Sequence, residues 1–267
     1  MGLSMRKPAV AGTFYAGDER VLRREISKYL GAAEEEKLPG KLRALVEPHA
    51  GYTYSGPVAA YGYKLLAAQA AKFSRIIILG PSHHATFSGA CEAGAAEWET
   101  PLGRVKAFSV RERANAREPL VQVYPQAHAP EHCLEVQLPF LQAVMKNEFE
   151  VCPLLCGEVD EKVLAEALAP LVDEKTLVIA SSDLSHYLPY GEAVKIDRVA
   201  NESVPALDIA RFERQGDACG KTPILVLMHL AKIKGWKGKL LDYRNSGDTA
   251  GDRGQVVGYG CYAFYEQ

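Results

Sequence analysis

The sequence predicts a single α/β domain over residues 1–267, with a mixed, mostly parallel central sheet flanked by helices. Three short apolar runs, at 42–46, 76–79 and 176–180, have the composition of strands that are buried on both faces. Segments with apolar residues at helical spacing alternate with these runs, which is typical of α/β proteins. Each run also stops at Pro, Gly or Ser with a histidine close behind, so polar groups should gather at one edge of the sheet.

The first half of the chain should contain two helices. Asp18 is placed to cap a helix over residues 19–30. Pro57 favours the first turn of a second helix over 57–71, because its missing N–H is not needed there. The second helix should connect the first predicted strand to the next and complete one parallel unit.

The second half of the chain repeats this alternation. The predicted elements are a turn at 100–103 with a strand at 104–108, a helix over 131–145 that bends or restarts at Pro139, a strand at 149–155, an amphipathic helix at 163–171, a helical region over 192–215 interrupted at Pro205, a helix with Thr222 as cap and Pro223 as first residue, and strands at 239–245 and 255–264. No internal repeat or linker interrupts this pattern, so one domain is expected.

The composition excludes several classes of function. A formal net charge of −2 provides no basic field for nucleic acid or for an anionic membrane surface. No apolar run approaches the roughly 20 residues that span a bilayer, and the start of the chain lacks the layout of a signal peptide. The six cysteines form no C-x-x-C pair. We therefore expect a cytoplasmic protein with mostly free, buried thiols.

Four histidines follow the predicted strands directly, namely His49, His83, His84 and His186. A single loop histidine is usually a hydrogen-bonded surface residue, but four histidines at equivalent strand ends are expected to converge on one pocket at that edge of the sheet. Neutral imidazoles gathered in a pocket suit a transition metal such as zinc, copper or iron. Asp183 has three open interpretations: a metal ligand, a group that holds a ligating imidazole in one tautomer, or a turn cap.

Two further residues have both a functional and an ordinary interpretation. Cys219 lies just before a predicted helix, whose positive end favours the thiolate that binds metal or attacks electrophiles. A buried, inert thiol is the alternative. His132 lies at the start of a predicted helix, between Glu131 and Cys133, and Glu135 lies one turn further along. The ordinary interpretation is a capping role for the two acidic residues, and the functional one is proton transfer by His132. Motifs for a nucleophile elbow, a phosphate-binding loop or a dinucleotide site are absent from the sequence.

Seven segments, in order across nearly the whole chain, carry a family resemblance. They are 12–15 (GTFY), 48–56 (PHAGYTYSG), 79–84 (LGPSHH), 131–140 (EHCLEVQLPF), 181–187 (SSDLSHY), 218–220 (ACG) and 256–259 (VVGY). Together these segments resemble the prokaryotic branch of the Memo family.

The resemblance implies a fold similar to that of class III extradiol ring-cleavage dioxygenases, in which two histidines and a glutamate hold a non-haem iron. It implies His49, His83 and Cys219 at the metal position. It also implies that His132, Asp183 and His186 line the same pocket as catalytic residues. Iron or copper is the implied metal, with zinc less favoured, and the implied pathway partners are radical-SAM and AMMECR-type proteins.

The departure from the dioxygenase pattern shapes the functional hypotheses. A thiolate in place of the carboxylate makes a softer site that favours copper(I) or iron and can itself be oxidised, which argues against ring cleavage. The leading hypothesis is a metal-dependent redox enzyme that acts on a small molecule. One alternative is a binding module whose pocket, rimmed by Tyr52 and Tyr54, holds a peptide or small anion without turnover. A further alternative is hydrolysis by a zinc-bound water.

Overall fold

A mixed sheet runs through the computed structural model of the chain, which describes residues 4–115 and 119–267. In these residues the strands are β1 (Met5–Arg6), β2 (Lys41–Glu47), β3 (Arg75–Pro81), β4 (Ala90–Glu92), β5 (Glu97–Thr100), β6 (Gly103–Ala107), β7 (Val121–Val123), β8 (Glu150–Cys156), β9 (Thr176–Ser181), β10 (Lys237–Asn245) and β11 (Gly258–Glu266). Their order is β1-β5-β6-β8-β3-β9-β2-β11-β10, and β4 pairs with β7 and β8. The predicted single α/β domain with a mostly parallel sheet is confirmed.

Four parallel strands, β8, β3, β9 and β2, form the centre of this sheet. Side chains of β3 alternate between two buried layers, with Ile76 and Ile78 in one and Ile77 and Leu79 in the other. Both faces of the central strands are therefore covered, which explains their uninterrupted apolar sequences.

Helices cover both faces of the sheet. They are α1 (Glu19–Ala32), α2 (Tyr52–Ala67), α3 (Arg111–Ala114), α4 (Pro125–His128), α5 (Gln137–Val144), α6 (Glu161–Leu168), α7 (Tyr190–Ala206), α8 (Ile209–Gln215), α9 (Lys221–Lys234) and α10 (Ser246–Thr249). Leu22, Val58 and Phe140 anchor α1, α2 and α5 in one layer, while Leu164 and Met228 anchor α6 and α9 in the other. Across residues 4–115 and 119–267, none of the helices has the length and apolar character needed to cross a bilayer.

The start of α2 differs from the prediction. The helix begins at Tyr52, so Pro57 lies inside it and not in its first turn. Tertiary contacts stabilise the earlier start, because Tyr52 and Ser55 are buried and the Tyr52 hydroxyl donates to the carbonyl of Val136 (2.6 Å). These contacts offset the backbone hydrogen bond that proline cannot make.

The predicted helix over 131–145 is shorter in the structure. The helix α5 begins at Gln137, and Pro139 lies in its first turn instead of bending it. Glu131 and Glu135 explain the non-helical start, because their carboxylates accept N–H groups from other segments, including those of His83 and Ala9. These acidic side chains organise loops and do not simply cap a helix.

Two further helix boundaries are corrected. Gly220 precedes α9, so Thr222 is not its cap, and the Gly220 N–H donates to Ser182 Oγ (2.9 Å). Pro205 is accommodated in the last turn of α7. The helix ends at Ala206, and Leu207 after it adopts the left-handed conformation, with a φ of 55°. The remaining predicted strands agree with the structure to within a few residues.

Candidate metal centre

The carboxyl ends of β2, β3 and β9 meet at one edge of the sheet, beside a cleft of about 580 Å³. Glu47 pairs with Ser181 in the register of β2 and β9, so the loops after these strands start side by side. The cleft is lined by Phe14, His49, Ala50, Gly51, Tyr54, His83, His132, Asp183, His186, Tyr187, Ser246, Gln255, Val257 and Tyr259. Polar side chains from distant parts of the chain therefore share one pocket.

Three imidazoles face one another in this cleft. The ring centroid of His49 lies 5.3 Å from that of His83 and 5.3 Å from that of His132. His83 and His132 are stacked, with centroids 4.8 Å apart. One nitrogen from each ring lies within 4.8 Å of the others, so the three histidines form a candidate metal-binding group. The structure thus brings the predicted ligands His49 and His83 together, with His132 beside them.

Glu131 supports two of these imidazoles. Its Oε1 lies 2.9 Å from Nδ1 of His83 and 3.2 Å from Nδ1 of His132. Its carboxylate also accepts the backbone N–H groups of His83, His132 and Cys133. Burial alone would raise the pKa of Glu131, but the hydrogen bonds from His132 and His83 hold it well below its usual range. An ionised carboxylate only accepts, so Nδ1 of each ring is the nitrogen that donates to it, which leaves Nε2 free when the ring is neutral.

His49 is held in a more buried environment, with only 2% of the residue exposed. Its Nδ1 lies 3.0 Å from Ser181 Oγ. Burial, together with the nearby His132 and His83, lowers the pKa of His49 well below its usual value. The ring is therefore neutral near pH 7, and neutral imidazole is the form that binds metals.

The Cys219 thiol contacts the second ring nitrogen of His49, with Sγ 3.1 Å from Nε2. The predicted lowering of its pKa by the helix end is wrong for the metal-free protein. Burial, followed by the charge of Asp183, raises the pKa of Cys219 to about 12. Desolvation of the thiolate outweighs the helix dipole here. Among the described residues, none of the three-donor groups includes Cys219, whose Sγ also lies 3.9 Å from Ser182 Oγ and 3.7 Å from the carbonyl oxygen of Asp183.

Asp183 holds the backbone beside this pair. It is buried, and its Oδ1 accepts the N–H groups of His49 (2.7 Å) and Ala50 (3.3 Å). Burial raises its pKa, while the His49 N–H bond and the nearby His186 act to lower it. None of the three interpretations of Asp183 describes this contact, in which Asp183 binds backbone N–H groups of a neighbouring loop and so holds the position of His49.

The other predicted residues divide between the cleft and its surroundings. His186 lines the cleft, whereas His84 is exposed on the adjacent loop and groups with Glu131 and His132. Tyr54 lines the cleft as expected. Tyr52 does not, because its ring is buried beneath the loop.

Sequence reasoning missed three contributors to this site. The sequence predicts a capping role for Glu131 and gives no role to Ser181 or to Phe14, whose ring centroid lies 4.7 Å from that of His132. The available signal was the position of Glu131 directly before His132. Its contact with His83, 48 residues away, depends on the fold.

The fold and the site together define an α/β protein with a candidate metal centre at the carboxyl edge of its sheet. A family model described as Memo-like protein matches residues 6–263, and the chain belongs to the Memo family. A MEMO1 family protein of Methanopyrus kandleri is 39% identical, covering 97% of this chain and 98% of the relative. A MEMO1 family protein of Aquifex aeolicus is 35% identical, covering 96% and 98%.

Similarity to a solved structure supports the fold alone. The crystal structure of an uncharacterised protein from Escherichia coli K12 superposes with a TM-score of 0.54 at 13% identity. The alignment covers 83% of this chain and 99% of that protein. The arrangement of strands and helices is therefore present in a protein of very different sequence.

Proposed function

We propose that this protein is a metal-dependent oxidoreductase in which His49, His83 and Cys219 bind an iron or copper ion. The observation that carries the proposal is the 3.1 Å approach of the Cys219 thiol to His49 Nε2, beside the His83 ring. Two imidazoles and a thiol form a borderline-to-soft donor set, which suits copper or iron better than magnesium or calcium. When bound, such an ion would supply one-electron chemistry.

The residues present fit such an ion. Glu131 keeps the Nδ1 proton of His83 in place, so that Nε2 is available, and ligating histidines are usually oriented in this way. His49 is neutral because it is buried. The Cys219 thiol must lose its proton to bind, so metal uptake should release protons and strengthen as the pH rises.

The remaining cleft residues would position groups and move protons. His132 donates from Nδ1 to Glu131, and its other nitrogen is left to exchange a proton with a substrate. His186 lines the same cleft and is a second candidate for proton transfer. Asp183 would fix the His49 backbone, and Phe14 would shield one side of His132 from water.

The three-histidine group makes His132 the competing third ligand. Metal titrations of Cys219→Ser and His132→Gln distinguish the two assignments. If the thiol is the ligand, metal affinity falls by at least about tenfold in Cys219→Ser and changes less in His132→Gln. The reverse order would assign the third position to His132.

A second candidate function is ligand binding without turnover. It is favoured by Tyr54 and Tyr187, which line the cleft with 45% and 68% of their surfaces exposed. Exposed aromatic residues at a cleft commonly contact a small-molecule or peptide ligand. A binder of this kind should keep its affinity in Cys219→Ser, whereas the redox metal site should not.

The direct test is metal stoichiometry after purification without oxygen. Iron(II), copper(I) and zinc are added in turn to the parent chain, to His49→Ala and to His229→Ala. His229 is the control because it lies on α9 and does not line the cleft. The proposal expects near-stoichiometric iron or copper in the parent and in His229→Ala, and its loss in His49→Ala. Only trace metal in the parent would contradict it.

A further inference from the structure

We infer that Ser181 and Gln137 fix the proton of His49 on Nδ1 and so direct its Nε2 toward the metal position. Both are positioning residues, and the inference rests on the proposed metal-binding function. His83 and His132 have a charged partner that fixes their protons, but His49 has none. Its tautomer depends on the neutral groups that contact its Nδ1.

The hydrogen bonds around Ser181 allow only one direction for its hydroxyl proton. Ser181 Oγ lies 2.7 Å from the carbonyl oxygen of Cys133, 2.8 Å from Nε2 of Gln137 and 3.0 Å from Nδ1 of His49. A hydroxyl has one proton and two lone pairs. A carbonyl oxygen only accepts, so the single Ser181 proton is directed to Cys133. The bonds from Gln137 and His49 must then be donated to Ser181.

The orientation of the Gln137 amide is fixed independently. Its Nε2 lies 3.0 Å from the carbonyl oxygen of Pro48, which can only accept, so the nitrogen must face Pro48 and Ser181. The hydroxyl of Tyr63 donates to Oε1 of Gln137 (2.5 Å). Gln137 therefore donates to Ser181 and takes one of its two lone pairs.

The remaining lone pair of Ser181 faces His49, so Nδ1 of His49 must carry a proton. In a neutral imidazole the other nitrogen then has none. That nitrogen, Nε2, faces Cys219 Sγ, whose S–H can donate to it in the metal-free protein. Ser181 and Gln137 are almost fully buried, so water does not compete for these bonds. The network therefore presents a free lone pair at the point where the metal is proposed.

The tautomer can be measured in the metal-free protein by long-range ¹H–¹⁵N correlation of the histidine rings. His49→Gln identifies the His49 signals by their disappearance. The inference expects a protonated Nδ1 and an unprotonated Nε2 for His49 in the parent chain. A protonated Nε2 with a bare Nδ1 would overturn it.

Variants test whether Ser181 and Gln137 produce this state. In Ser181→Ala the His49 signals should shift to a mixture of tautomers, and zinc affinity should fall about 10–100-fold, as for other outer-shell partners. Gln137→Met frees one lone pair of Ser181 and lets its hydroxyl reorient, so the His49 signals should shift in the same direction as in Ser181→Ala, with a smaller loss of zinc affinity. It also provides a second variant if Ser181→Ala does not fold.

Ser185→Ala is the matched control. Ser185 is a buried serine in the loop that follows Ser181 and β9, and its hydroxyl has no hydrogen-bond partner among the described residues. The variant should keep the parent's His49 signals and zinc affinity. Equal behaviour of Ser181→Ala and Ser185→Ala would overturn the inference. A parent Nδ1 proton that is lost in Ser181→Ala supports the inference even if the chain holds no iron or copper, so its outcome is separate from that of the proposed function.

Discussion

The two halves of the candidate metal centre hold their histidines in different ways. In the carboxylate half, Glu131 holds His83 and His132 through charged hydrogen bonds. In the hydroxyl half, Ser181 holds His49 through a neutral one. The side chains of His83 and His132 are 29% and 17% exposed, whereas His49 is 2% exposed. One half therefore relies on charge and the other on burial.

This difference has a physical basis. A hydrogen bond to an ionised carboxylate is about twice as strong as a neutral one, so it can orient an imidazole that remains partly in water. A neutral network is directional only when water cannot replace its members. Changes of charge should therefore disturb the carboxylate half most, and changes of packing or hydrogen bonding should disturb the hydroxyl half.

Glu131→Gln should have the largest effect. The amide is uncharged, and its NH₂ group would meet either the N–H of His83, which binds one carboxylate oxygen, or the N–H groups of His132 and Cys133, which bind the other. We expect zinc affinity, measured by calorimetry, to fall about 100-fold. Glu47→Gln is the control, since Glu47 is a buried carboxyl without a hydrogen-bond partner among the described residues. Equal affinities in the two variants would show that the charge of Glu131 does not matter.

Asp183→Ala should rank second and act on the hydroxyl half. It leaves the buried N–H of His49 and the partly buried N–H of Ala50 without their acceptor, which should lower the free energy of unfolding by about 2 kcal/mol, or about 1 kcal/mol per bond. Asp183→Asn keeps an acceptor oxygen and should stay near the parent in urea denaturation. If Asn and Ala were equally destabilising, the backbone bonds would not be the role of Asp183.

The two halves should begin to lose stability at different pH values. The pKa of His49 lies below its ordinary 6.5 in the folded chain, so stability should fall as the pH drops below about 6.5. The pKa of Glu131 lies below its ordinary 4.5, so its contribution should be lost only below about 4.5. Each group changes the free energy of unfolding by at most about 1.4 kcal/mol per pH unit.

Urea unfolding of the metal-free protein at several pH values measures this order. His128 has its pKa lowered to about 4 by burial and contributes in the same range as His49, so the comparison uses the difference between the parent and His49→Gln. In His49→Gln, the fall in the free energy of unfolding that begins near pH 6.5 should be smaller than in the parent. A parallel profile in His49→Gln would contradict the assignment.

Phe14→Ala should have the smallest effect. The ring contacts His132 on the carboxylate half, which Glu131 already orients. Loss of an aromatic pair costs about 1 kcal/mol, so we expect a small drop in stability and nearly parental zinc affinity. A loss of affinity as large as that of Glu131→Gln would mean that packing, not charge, orients this half.

The sequence was sufficient for features that depend on local pattern. The buried strands, the Asp18 cap and the convergence of His49 with His83 follow from apolar runs and from the geometry of strand ends. The starts of α2 and α5 were missed because tertiary contacts, such as the bond from Tyr52 to Val136, override local helix signals. Local propensity is a weak guide where such contacts compete.

The arrangement inside the site could not be predicted in the same way. The pKa of Cys219 follows from burial beside Asp183, and neither is visible in a segment that reads only Ala-Cys-Gly. Likewise, the role of Ser181 depends on contacts with Cys133 and Gln137, 48 and 44 residues away. Residue types therefore indicated which chemistry to expect, while the fold decided which atoms face one another.

Anomalous diffraction from crystals loaded with iron or copper tests the central claim most directly. Data collected at the absorption edge of the added metal locate the ion independently of any assumed ligand. We expect a single strong peak within bonding distance of His49 Nε2, His83 and Cys219 Sγ. A cleft without a peak, or a peak remote from His49, would contradict it.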